Sequence, residues 1–119
     1  VDQMSIKEIG SALRKTSRLC RDLKIDKKEF FGGSMTISSL GGIGGTFFTP
    51  IINPPEVAIL GVGKSFDRLV KVNDKFVSRK ILPISLSYDH RIIDGAEGAR
   101  FCVYLGKCLG KDFAFKLAV

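Results

Sequence analysis

With one histidine and three cysteines in 119 residues, the chain has few groups that could hold a metal ion, and none is expected. Cys20, Cys102 and Cys108 are odd in number and form no CxxC pair, which excludes a disulfide framework and fits reduced thiols in a cytosolic-type compartment. No apolar run approaches the roughly 20 residues that cross a bilayer. Val1-Asp2-Gln3 begins no charged-then-apolar leader and the first residue is not Met, so a piece of a longer polypeptide is expected. Acidic side chains are in deficit, 12 against 19 basic ones, for a net charge of +7. The basic residues are spread out, with no run of five and no interleaved aromatics. A solvated surface is one reading; attraction to an acidic protein or a nucleotide phosphate is the other. No nucleic-acid-binding motif is present, and neither a nucleic-acid nor a membrane partner is expected. Internal repeats and low-complexity linkers are also lacking.

The length supports one domain that buries about two-thirds of its unfolded surface. Ser5 to about Lys24 reads as a helix, with Ile6, Ile9 and Leu13 as an apolar stripe and Ser5/Glu8 as a capping box. Lys27–Phe31 is a charged connection broken by Gly32-Gly33. Ser34–Leu40 alternates as a strand. Phe47–Ile52 is a short apolar segment ended by Asn53-Pro54-Pro55. Val57–Val62 is continuously apolar, as in a strand buried on both faces. Asp67–Val72 and Lys75–Tyr88 read as two strands joined by a tight Asn73-Asp74 turn. A helix should run from Gly95 to about Leu109, where Gly110 can end it, and Phe113–Val119 is an apolar tail.

Two glycine-containing stretches bear on ligand binding. Gly41–Gly45 fails the GxGxxG fingerprint, because Phe47 occupies the last glycine position. Its glycines serve either close backbone approach or strain-free turning. Ala58–Ser65 matches a relaxed phosphate loop ending in Gly63-Lys64-Ser65, but its interior is the apolar strand itself, which argues against ATP binding.

His90 is the chemical centre of the sequence. It follows a strand whose Leu82, Ile84, Leu86 and Tyr88 face one way and Ser85 and Ser87 the other. Asp94 comes four residues after it, and Asp94/Glu97 forms a second capping-box pattern. Imidazole is the side chain suited to proton transfer near neutral pH. A lone histidine also has a purely structural reading, and Asp94 has one as a helix cap.

Three stretches taken in order, Thr36–Gly41, Gly44–Gly61 and Ser87–Gly95, closely resemble the catalytic domain of the acyltransferase component of 2-oxo acid dehydrogenase complexes. Chloramphenicol acetyltransferase shares that fold and the His-x-x-x-Asp-Gly signature of His90–Gly95. The resemblance covers essentially the whole chain, and Gly95–Phe101 is most similar to the acetyl-transferring branch, that of the pyruvate dehydrogenase complex. It implies an α/β fold: a chloramphenicol acetyltransferase-like mixed sheet with flanking helices, N-terminally truncated, residues 1–119 being the C-terminal portion of the catalytic domain.

The resemblance also implies transfer of an acetyl group between dihydrolipoamide and coenzyme A. His90 then matches the general base, Asp94 a carboxylate that helps fix the site, and Ser38 the hydroxyl that hydrogen-bonds the oxyanion. Phe48 and Leu60 match residues lining the coenzyme A channel. Ser38 is a donor and not a nucleophile, since no G-x-S-x-G elbow surrounds it. The implied partners are coenzyme A and a separate domain carrying the lipoyl group. A homotrimer is also implied, in which His90 and Ser38 meet from adjacent subunits and which builds a hollow core for dehydrogenase subunits. An arginine that pairs with Asp94 is implied to lie before Val1. The setting is a bacterial cytoplasm, or the mitochondrial matrix in a eukaryote. Two alternatives stand: an inactive core or scaffold fragment, and a succinyl- or branched-chain-specific homologue.

Overall fold

The structure is a computed structural model that describes residues 1–110 and Phe113. The expected tail at Phe113–Val119 lies, apart from Phe113, outside the described residues. The chain divides into two compact units, Val1–Gly33 with Cys108–Val119, and Ser34–Lys107.

In the first unit, helix α1 spans Ile6–Arg21. The Ser5 hydroxyl accepts from the Glu8 N–H at 3.3 Å, and the Glu8 carboxylate accepts from the Ser5 N–H and hydroxyl at 2.7 Å each. The capping box read from the sequence is therefore formed in both directions. Those Ser5 donors, the hydroxyl first, hold the Glu8 carboxyl below its usual range. The helix ends earlier than the expected Lys24. Leu23 takes a left-handed φ of 54°, while the Leu23 and Lys24 N–H groups bond the Cys20 and Leu19 carbonyls at 3.1 and 2.9 Å. This is a Schellman closure with leucine where glycine is usual. A 3₁₀ turn at Lys27–Phe30 follows, capped by Asp26.

The second unit holds a three-stranded mixed sheet and a hairpin. Strands β1 (Thr36–Ser39), β2 (Ala58–Val62) and β5 (Ile84–Tyr88) lie in the order β1-β2-β5, with β1 parallel and β5 antiparallel to β2. Central placement explains the unbroken apolar run of β2, in which Ala58, Ile59 and Leu60 are all buried. Strands β3 (Phe66–Val72) and β4 (Lys75–Ile81) form the hairpin. Asn73 and Asp74 have φ of 47° and 58°, as a two-residue type I′ turn requires.

The single strand expected over Lys75–Tyr88 is instead two strands in different sheets, separated by Leu82-Pro83. Proline has no N–H for the ladder. The buried Pro83 contributes its carbonyl, which accepts from Gly63 N–H at 3.0 Å, and the chain changes sheets there.

The phosphate-loop pattern also resolves. Gly63-Lys64-Ser65 runs straight into β3 and no helix follows. Gly63 is required by packing, since a Cβ there would stand 2.3 Å from the Thr46 carbonyl oxygen. Helix α2 (Gly95–Cys108) completes the unit. An apolar cleft of about 240 Å³ lies among Ala58, Leu86, Ile93, Gly98 and Phe101.

Candidate active site

The turn from β5 into α2 is built around Asp89. Its N–H donates to the Val57 carbonyl at 2.8 Å, extending the β2–β5 ladder by one step. Its carbonyl accepts from the Ile92 and Ile93 N–H groups at 3.0 Å each. Its carboxylate accepts from the Arg91 N–H at 3.0 Å and is gripped by the Arg91 guanidinium, Nε at 2.9 and 3.1 Å and Nη2 at 2.5 Å. The Arg91 side chain, and then its N–H, hold the Asp89 carboxyl down at about 2.

Three residues on, the Asp94 carboxylate accepts from the Glu97 N–H at 2.7 Å and caps α2. The reciprocal half of the expected capping box does not form, so Asp94 alone caps the helix.

His90 is exposed on this turn. Its ring lies 5.7 Å from that of Tyr88, tilted by 39°. Tyr88 rests on the first turn of α2, where a Cβ on Gly98 would come within 2.8 Å of its Cε1. A Cβ on Gly95 would lie 3.9 Å from both His90 Nε2 and the Tyr88 hydroxyl. The strand end, the small-residue start of α2 and the Asp89–Arg91 pair thus frame the imidazole.

Ser38 is half-buried on β1, opposite Gly61, which is itself opposite Ser85. Phe48 packs on the same face, so that a Cβ on Gly61 would meet its Cζ at 3.0 Å. Leu60, 7% exposed, points to the other face of β2, with Leu86 and Ile37 as its neighbours in register. Phe48 and Leu60 therefore lie on opposite sides of β2.

Within one chain Ser38 does not reach His90. His90 stands five residues beyond Ser85 and two strands away from β1. Strand rise and spacing put the two residues on the order of 15–20 Å apart. Asp94 is brought close to His90; Ser38, Phe48 and Leu60 gather around the middle of β2.

The reading of the sequence missed the contribution of Asp89, Arg91 and Tyr88 to this site. The available signal was a pair of opposite charges immediately either side of the only histidine. Among the described residues no group of three or more His, Cys, Asp or Glu side chains could hold a metal ion, and no helix is long and apolar enough to cross a membrane.

The mixed sheet delivers a histidine at a strand-to-helix turn that a capping carboxylate follows, an arrangement suited to proton transfer near neutral pH. The chain belongs to the 2-oxoacid dehydrogenase acyltransferase (catalytic domain) family, whose profile it matches over residues 1–114. It is 51% identical over 112 residues to the dihydrolipoyllysine-residue acetyltransferase component of the pyruvate dehydrogenase complex of Cupriavidus necator, covering 94% of this chain and 20% of that protein. The Haemophilus influenzae component of the same name is 52% identical over 109 residues, covering 92% of this chain and 19% of that protein.

Among solved structures, one of Azotobacter vinelandii dihydrolipoamide acetyltransferase superimposes with a TM-score of 0.89 at 47% identity, covering 95% of this chain and 46% of that one. That structure addresses the role of a serine, a histidine and an asparagine in the catalytic mechanism. The cubic core of the pyruvate dehydrogenase multienzyme complex also superimposes at 0.89, with 46% identity and the same coverage. The chain thus spans about a fifth of the length of these curated relatives and just under half of the solved chains.

Proposed function

We propose that this chain carries the acetyl-transfer chemistry of a dihydrolipoyl acetyltransferase, moving an acetyl group between coenzyme A and a dihydrolipoamide borne on a separate lipoyl domain. The observation that carries this reading is the exposed imidazole of His90, framed at the end of β5 by Tyr88, Gly95 and the Asp94 cap. The Azotobacter relative supports it. The intervals between its serine, histidine and asparagine equal those between Ser38, His90 and Asp94.

His90 takes the proton from the sulfhydryl of coenzyme A, and the thiolate attacks the carbonyl carbon of acetyl-dihydrolipoamide. The tetrahedral oxyanion accepts a hydrogen bond from the Ser38 hydroxyl, and loss of one such donor typically costs about 3 kcal/mol. Collapse expels the lipoyl sulfur, which recovers the proton from the imidazolium. Asp94 holds the start of α2 beside the base. Phe48, on the Ser38 face of β2, lines the approach of coenzyme A, while the buried Leu60 on the opposite face supports the strand.

Because Ser38 and His90 are far apart within one chain, the site is completed between copies, one supplying the serine and its neighbour the histidine. A homotrimer that builds a larger core binding dehydrogenase subunits meets that requirement, and the cubic core relative supports it. The setting is the bacterial cytoplasm, which the free cysteines and bacterial relatives fit.

The test is transfer from acetyl-CoA to free dihydrolipoamide by the full-length protein that contains this chain. His90→Ala should reduce kcat by about 10²- to 10⁴-fold. A parent protein with no turnover would make the chain a scaffold element. Faster transfer from succinyl- or isobutyryl-CoA would reassign the acyl group.

A further inference from the structure

We propose that Asp89 and Arg91 form a clasp whose purpose is to position His90, a role that rests on the acetyl-transfer reading above. The two side chains close over a single intervening residue, and that residue is the base. Asp89 is anchored on both sides of its own backbone, to Val57 in front and to Ile92 and Ile93 behind. Its carboxylate then takes the Arg91 N–H at 3.0 Å and both arms of the guanidinium, so residues 89 and 91 are fixed relative to each other. Among the described residues no hydrogen bond holds the His90 ring. Its placement comes from the backbone on either side and from the Tyr88 ring at 5.7 Å.

The asymmetry of exposure points the same way. Asp89 is 20% exposed and Arg91 is 88% exposed, so the arginine folds back over the turn onto an anchored acid. An exposed ion pair contributes little to stability by itself. Its geometric content is larger, because the planar guanidinium engages both carboxylate oxygens and excludes rotation about the Asp89 side chain. A base must sit within hydrogen-bond reach of the thiol, and a misplacement of about 1 Å can cost on the order of 10²-fold in rate. Asp89 and Arg91 touch neither thiol nor thioester; they are positioning residues.

The experiment compares Asp89→Asn and Arg91→Lys with the parent in the full-length assembled protein, measuring kcat, KM for coenzyme A and thermal stability. Asparagine keeps the acceptor for the Arg91 N–H but loses the charge and one oxygen. Lysine keeps the charge but loses the two-pronged grip. Both should lower kcat by about ten- to a hundredfold, with KM within about twofold and the melting temperature nearly unchanged. Unchanged kcat in both variants overturns the proposal. So does a rise in KM at constant kcat, which would make Arg91 a coenzyme A contact. So does loss of assembly in both variants, which would make the pair a folding element. An inactive parent would instead overturn the acetyl-transfer reading, and the two failures are told apart by that control.

Discussion

Replacing Asp94 by asparagine should leave α2 capped, because the Glu97 N–H needs an acceptor oxygen and not a charge. Asparagine and aspartate cap about equally well, while alanine costs about 1 kcal/mol. The Azotobacter relative names an asparagine at the matching interval after its histidine. Asp94→Asn should therefore retain stability and most acetyl transfer, and Asp94→Ala should lose about 1 kcal/mol in denaturant unfolding. If asparagine behaved like alanine, the carboxylate charge would be the operative feature. Asp89 is the opposite case, an acid whose charge matters. Arg91 lowers its carboxyl from 3.8 to about 2, so its contribution is complete above the ordinary value and is lost as pH falls through about 2. Across the neutral range the clasp stays charged, and no step in activity there should trace to Asp89. A carboxyl-carbon NMR titration of Asp89 with a midpoint near the ordinary carboxylate value would contradict this.

Helix α2 contains two glycines with opposite requirements. At Gly98 a Cβ would collide with the Tyr88 ring at 2.8 Å, whereas at Gly106 nothing lies within 4 Å. Gly98→Ala should destabilise by about 1–3 kcal/mol through overpacking. Since Tyr88 flanks His90, kcat should fall with it. Gly106→Ala should stabilise by about 1 kcal/mol, because alanine restricts the unfolded chain and suits the helix interior. Unfolding curves of the two variants should move in opposite directions; a Gly98→Ala variant as stable as the parent would mean that Tyr88 does not rest on α2.

No apolar side chain of the described residues is fully buried, and Ala58, Ile59 and Leu60, in succession on β2, form the core. Ile37, beside Leu60 on the sheet, is 68% exposed. So much uncovered apolar surface is usual at an interface with other polypeptide. The separation of Ser38 from His90 gives this a functional test. Full-length subunits carrying Ser38→Ala should turn over about a hundredfold more slowly, and those carrying His90→Ala at least as slowly. Co-assembly of the two should restore turnover, since a fraction of interfaces would pair an intact serine with an intact histidine. Mixed assemblies as slow as either parent would mean that each site is built from one chain.

What the sequence determined by itself was local. Ser5 and Glu8 declared a helix start, Asn73-Asp74 a hairpin, Val57–Val62 a central strand, and His90 with Asp94 a strand-to-helix turn. Each follows from the conformational preference of a few neighbouring residues. Tertiary structure decided what depends on residues far apart in the chain. Pro83 divides a strand because Gly63 claims its carbonyl and β2 claims the residues after it. Asp89 is anchored by the carbonyl of Val57, a residue distant from it in the chain. The distance between Ser38 and His90 follows from strand order, β1 and β5 lying on either side of β2, and strand order is set by long-range pairing that no local pattern encodes.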